Sequence, residues 1–221
     1  MERYRLTVLD DIKNICRKSS FPFSLLPSRL CRSTFLIRGR QGDAEKANLE
    51  RTKTMKNLLL IGGTMGVGKT TTGKILKKKL SNAVYLDGDW CWDADPFVVT
   101  SETKEMVINN ITHLLNNFLS STAYQNIVFT WVMHEKSIID DILSRLHLDD
   151  VRVFSFSLVS SEEALIKRLT SDIRSGIRSG DIIERSIQRI PLYENLPTIK
   201  IDTSEKTPDE AASEIIQRIE S

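Results

Sequence analysis

The segment Gly63-Thr64-Met65-Gly66-Val67-Gly68-Lys69-Thr70 fits G-x-x-x-x-G-K-[ST] at every position, and its flanks narrow the possible folds further. Upstream, residues 57–61 form a short apolar run that ends in glycines, the pattern of a strand buried on both faces. Downstream, 68–80 places Ile75, Leu76 and Leu80 inward and leaves Lys74, Lys77, Lys78 and Lys79 to solvent, as a helix does. Between a strand and a helix, glycines let successive N–H groups converge on phosphate oxygens, and the helix N-terminus adds partial positive charge. A glycine-rich turn with an incidental lysine is the competing reading, and both flanks disfavour it. The motif therefore predicts that 63–70, with Thr71, cradles a nucleoside triphosphate, taken as ATP. Lys69 is expected to reach the β and γ phosphates and the Thr70 hydroxyl to ligate Mg²⁺.

Beyond the loop, apolar runs and helical patterns alternate. Strands are expected at 83–86, 127–133, 151–159 and 198–201. The helix at 100–121 carries Val107, Ile111, Leu114, Leu115 and Phe118 on one face, and another spans about 137–146. Ser160 with Glu163 reads as a capping box opening the helix that carries Leu165, Ile166 and Leu169. A further helix runs through Ile182, Ile183, Ile187 and Ile190 and stops at Pro191. The last starts with Thr207 as cap, Pro208 at its first position and Glu210 completing the box. This alternation predicts an α/β chain: a three-layer P-loop NTPase fold with five parallel strands and helices on both faces, over 55–221.

Charge divides the chain in two. Residues 1–54 hold 12 Lys+Arg against 6 Asp+Glu, and the remainder 19 against 23, within a total net charge of +2. The mildly acidic body disfavours a nucleic-acid partner. No apolar run approaches the roughly 18 residues of a membrane span, and Cys16, Cys31 and Cys91 are too far apart for a disulfide framework, so a cytoplasmic setting is expected. The basic leader shows one short amphipathic stretch, 4–16, before Pro22 and Pro27 break regular structure. Its arginines and serines suit a transit peptide, whereas Glu2, Asp10 and Asp11 oppose one. Met55 opens Met-Lys-Asn-Leu-Leu-Leu-Ile-Gly-Gly, so a further expectation is that translation starts there.

The second strand runs into Leu86-Asp87-Gly88-Asp89-Trp90. Two carboxylates at a strand's C-terminal end face the crevice where open α/β sheets bind ligands. One suits a metal-bound water and the other a proton from an attacking hydroxyl, with a plain polar turn as the alternative. With these motifs, 55–221 resembles the small P-loop kinases of the adenylate kinase-like superfamily, among them gluconate, adenylylsulfate and shikimate kinases and chloramphenicol phosphotransferase. The resemblance implies ATP-dependent transfer to a small-molecule or nucleotide acceptor, with Asp87 and Asp89 as its metal-side and acceptor-side carboxylates in an order left open. Asp87 then joins Thr70 as a metal-side residue.

The third strand, Ile127-Val128-Phe129-Thr130-Trp131-Val132-Met133-His134-Glu135, lacks the aspartate that many P-loop enzymes place there. Glu135 either replaces it or simply begins the next helix. His134 is a candidate acceptor contact; His113 and His147 are assigned to helix surfaces. Trp90, Trp92 and Phe97 either stack on an acceptor or pack a lid, and Cys91 has no base beside it.

Arg168, Arg174, Arg178, Arg185 and Arg189 follow the fourth strand, with Gly176 and Gly180 interrupting the helices. They suggest a flap that closes over the transferring phosphoryl, with Arg174 and Arg178 as its leading residues. The loop 201–204 resembles the one that lies beside adenine in these kinases. Two other readings stay open: an ATP-binding or hydrolysing regulatory module without a small acceptor, and a 5′-hydroxyl nucleic-acid kinase, which the acidic body disfavours. A monomer or homodimer is expected.

Overall fold

In the computed structural model of the chain, which describes residues 55–176 and 182–221, the apolar runs become one parallel sheet. Its strands are β1 (Lys56–Gly63), β2 (Ala83–Asp87), β3 (Asn126–Thr130), β4 (Val151–Val159) and β5 (Ile199–Asp202), in the order β2-β3-β1-β4-β5. The helices are α1 (Lys69–Lys79), α2 (Ser101–Ser120), α3 (Lys136–Ser144), α4 (Glu162–Arg174), α5 (Ile182–Ile187), α6 (Ile190–Glu194) and α7 (Pro208–Glu220). The leader, including 4–16, and the flap residues 177–181 with Arg178 lie outside the described residues. No helix among the described residues is long and apolar enough to cross a membrane.

Central β1 shows why both faces are covered. Leu59 and Ile61 join Tyr85, Val128 and Phe156 in a core under α1 and α7. Leu58 and Leu60 join Leu86 and Phe129 in a second core under α2, α3 and α6. Alternating side chains thus feed two cores, and each fully buried Leu or Ile contributes about 1.5–3 kcal/mol. A third cluster, Leu165, Leu169 and Ile182, joins α4 to α5 and takes in Met65 of the phosphate loop.

Three local expectations are corrected. β3 ends at Thr130 and not at 133, because its edge neighbour β2 ends at Asp87, the register partner of Thr130. The cap of α4 is Ser161, whose hydroxyl accepts from the Ala164 N–H, so the expected box of Ser160 and Glu163 does not form. Pro191 does not stop a helix. It sits in the first turn of α6, where a missing N–H leaves no bond unmade. In addition, His147 lies beyond α3 and not on it.

Gly73 faces the sheet from α1. A Cβ built there meets Tyr85 Cε2 at 2.4 Å and Thr130 Cγ2 at 2.9 Å. In an open helix Gly→Ala gains about 1 kcal/mol, but overpacking a filled site costs about 1–3 kcal/mol. Gly73→Ala is therefore expected to lower the melting temperature by a few degrees in thermal denaturation. An unchanged or raised value would mean that the Tyr85 ring yields.

Candidate active site

The phosphate loop lines its concave side with backbone because its side chains turn elsewhere. Gly68 is the N-cap of α1 at φ 103, a left-handed conformation that favours glycine, and no side chain caps the helix. The first N–H groups of α1 are thus available to an anion. Val67 is buried in the α1–α7 core, and Thr64 donates its hydroxyl to the Ser186 carbonyl of α5 at 3.0 Å. The Lys69 ammonium reaches back to the Thr64 carbonyl at 3.0 Å, while Thr70 and Thr71 are exposed.

Thr70 leads to the carboxylates. Its hydroxyl donates to Asp87 Oδ2 at 2.8 Å, and the Tyr85 hydroxyl meets the same oxygen at 2.8 Å. Asp87 Oδ1 accepts from the Asp89 N–H at 3.2 Å. The Tyr85 hydroxyl also lies 2.8 Å from Thr130 Oγ1. Asp87 is only 5% exposed, whereas Asp89 is open to solvent, so the structure separates two carboxylates that the sequence leaves equivalent. The acid missing from β3 has a neighbour in its place: Asp87 on β2, level with Thr130, engages Thr70. Tyr85 went unnoticed in the sequence, although a residue two before Asp87 on a strand must share its face. Burial, reinforced by the Asp87 charge, pushes the Tyr85 phenol well above its ordinary pKa of 10 and keeps it a donor.

A hydroxyl beside a carboxylate is a hard-oxygen pair that fits Mg²⁺, which retains waters and takes phosphate oxygens. Among the described residues there is no cluster of three His, Cys, Asp or Glu that would form an all-protein cage. Glu135 takes no part, since it precedes α3, bonds to Ser137 and lies 3.5 Å from His134 Nε2.

On the other side of β1, Tyr193 packs under Gly62, where a Cβ would lie 3.4 Å from its ring. His134 Nδ1, Ser186 Oγ and Tyr193 OH are buried without a hydrogen-bond partner of normal geometry. Burial, and then the charge of Arg189, pushes His134 below its ordinary pKa of 6.5. The same arginine partly offsets the rise that burial imposes on the Tyr193 phenol. Arg189 is thus within electrostatic reach of both rings.

The remaining arginines differ in placement. Arg168 donates to Thr203 Oγ1 and to the carbonyls of Thr203 and Ser204, fixing the loop after β5. Beside it lies a cavity of about 100 Å³ lined by Val67, Gly68, Thr72, Lys206 and Pro208. Arg174 is exposed in the last turn of α4, and Arg185 is exposed on α5. The aromatic trio also divides. Trp92 packs on the α2 core and meets Phe97 at a tilt with ring centroids 4.4 Å apart, while Trp90 and Tyr85 form a T-shaped pair at 5.4 Å and Trp90 is 60% exposed. Burial and the charges of Asp87 and Asp89 push the Cys91 thiol up, so it is a poor nucleophile.

Removing Asp87 takes the acceptor from the buried Tyr85 hydroxyl and from the exposed Thr70 hydroxyl, and removing Asp89 does neither. Asp87→Ala is expected to cost about 1–3 kcal/mol of stability, and Asp89→Ala less than about 0.5 kcal/mol, measured by urea unfolding. Equal losses would contradict the asymmetry.

Residues 59–186, more than half of the chain, match the AAA domain family. The chain is 27% identical over 167 residues to a Thermococcus gammatolerans protein named as a candidate adenylate kinase, covering 74% of the chain and 85% of that protein. It is 28% identical over 180 residues to a shikimate kinase of Thermodesulfovibrio yellowstonii, covering 75% and 96%. The tunicamycin resistance protein of Deinococcus radiodurans shares the fold, with a TM-score of 0.59 at 17% identity over 74% of the chain and 95% of that structure. The chain belongs to the AAA domain family and is a phosphotransferase built on the fold of the small P-loop kinases.

Proposed function

We propose that the protein transfers the γ-phosphoryl group of ATP to a hydroxyl of a small acceptor held over the C-terminal ends of β2 and β3. The observation that carries this reading is the bond from Thr70 of the phosphate loop to Asp87, two residues before the exposed Asp89. The triphosphate lies on the backbone of 63–71, and Lys69 exchanges the Thr64 carbonyl for β and γ oxygens. The base occupies the cavity beside Arg168. Thr70 and Asp87 would hold Mg²⁺, which when bound neutralises charge on the β and γ oxygens.

Asp89 accepts the acceptor's proton as its oxygen bonds to the γ phosphorus and the bond from that phosphorus to ADP breaks. Arg174, in the last turn of α4, and Arg178, four positions on in the sequence, stabilise charge on the moving phosphoryl. His134 and Arg189 face the acceptor from the β1 side. The relatives' names suggest the acceptor's chemistry: a nucleotide or a small hydroxy acid. An acid missing from β3 would favour the regulatory-module reading, but Asp87 engages Thr70 from the adjacent strand and offsets that support.

The test is ATP consumption with Mg²⁺ against pools of hydroxylated metabolites, nucleosides, nucleotides and antibiotics. One pool is expected to raise turnover, and Lys69→Ala to abolish the rise. Asp89→Asn is expected to lower kcat about 10²–10⁴-fold with ATP affinity nearly unchanged. Tight ATP binding with no response to any pool would overturn the proposal.

A further inference from the structure

We propose that Tyr85 is a positioning residue. Backed by Thr130, it fixes the Asp87 carboxylate against Thr70 and so orients the Thr70 hydroxyl oxygen toward a nucleotide-bound metal.

The direction of each proton follows from donor and acceptor chemistry. An ionised carboxylate only accepts, so the Tyr85 and Thr70 hydroxyls both donate to Asp87 Oδ2, each at 2.8 Å. With its one proton spent on Asp87, the Tyr85 oxygen accepts from Thr130 Oγ1 at 2.8 Å. The chain therefore runs Thr130 to Tyr85 to Asp87, and Thr70 joins from the other side. Because the Thr70 proton is committed to Asp87, its lone pairs point away, where a cation is accommodated.

The surroundings are built for that ring. Tyr85 is 7% exposed and Thr130 is fully buried, so bulk water does not substitute for either hydroxyl. The ring lies so close to α1 that no side chain larger than glycine fits at 73 without a shift. Trp90 makes a T-shaped contact with the same ring. A tyrosine needed only to fill space needs no such chain, and phenylalanine would serve as well.

The inference rests on the phosphotransferase reading for its effect on turnover, but its main readout needs no acceptor. Tyr85→Phe keeps the ring and removes the hydroxyl. Affinity for a fluorescent ATP analogue is measured with and without Mg²⁺, alongside kcat, the acceptor KM and the melting temperature. Metal-free affinity is expected to stay within about twofold, and the gain on adding Mg²⁺ to shrink about tenfold, the scale seen when a partner of a metal ligand is removed. kcat falls with it and the acceptor KM does not move.

Thr130→Val, which leaves the ring untouched, is expected to reduce the same gain by a smaller factor. The double variant should fall no further than Tyr85→Phe, since Thr130 acts through Tyr85. An unchanged Mg²⁺ gain in Tyr85→Phe, or an equal loss of affinity with and without metal, would overturn the proposal. If the gain falls as expected while no acceptor pool raises turnover, the positioning role stands and the kinase reading fails.

Discussion

A triphosphate carries its charge into a site that must offer many donors in a small volume, and this chain supplies them from main-chain N–H groups. Side chains therefore have to leave the concave face of 63–70, and each needs a destination. Val67 enters the core beneath α1, Met65 enters the cluster of α4 and α5, and Thr64 bonds to Ser186. The loop is held in shape by where its side chains go. The sheet order follows from the same demand, because β1 needs neighbours on both sides and helices on both faces to carry an anion site at its end.

Next to that loop the polar chemistry is concentrated at one pair of strand ends. Asp87 and Thr130 stand level in adjacent strands, so side chains two residues apart on β2 and one at the end of β3 share a single pocket of hydrogen bonds. Thr70 brings the start of α1 into it. The exposed Asp89 adjoins this fixed centre through its N–H, while the half-buried His134 and Arg189 lie within electrostatic reach of each other. A rigid anion-binding floor with more accessible acids and bases around it suits a site where one partner is a constant nucleotide and the other is selected.

Periodicity and the glycine motif made the architecture legible. Five strands, the loop and the strong cap of α7 all follow from local pattern, because burial on both faces and capping chemistry leave a direct trace in sequence. The acid pair after β2 was legible too, but its division of labour was not. Asp87 and Asp89 differ only in which way the chain turns after the strand, and that depends on the Asp89 N–H bonding back to Asp87. Tyr85 was invisible for a related reason: Thr130 and Thr70 are distant in sequence, and Thr130 reaches it through strand pairing while Thr70 reaches the shared Asp87 from the start of α1. Arg185 and Arg189 look alike in the sequence, and only the break after Ile187 separates the exposed Arg185 from the half-buried Arg189. Ser160 and Ser161 illustrate the limit of motif spacing, since adjacent serines offer the same chemistry and only backbone geometry selects the cap.

The tie from Thr64 to Ser186 has a further consequence. Helix α4 is anchored to the nucleotide side through Met65 and through Arg168 on the loop after β5, and α5, which packs on α4 through Ile182, has a further tie in the Thr64 hydroxyl. Each bank of the segment between them has its own mooring, so insertions or deletions in that span need not be transmitted to the phosphate loop. The fold thereby separates what evolution can lengthen from what it must keep.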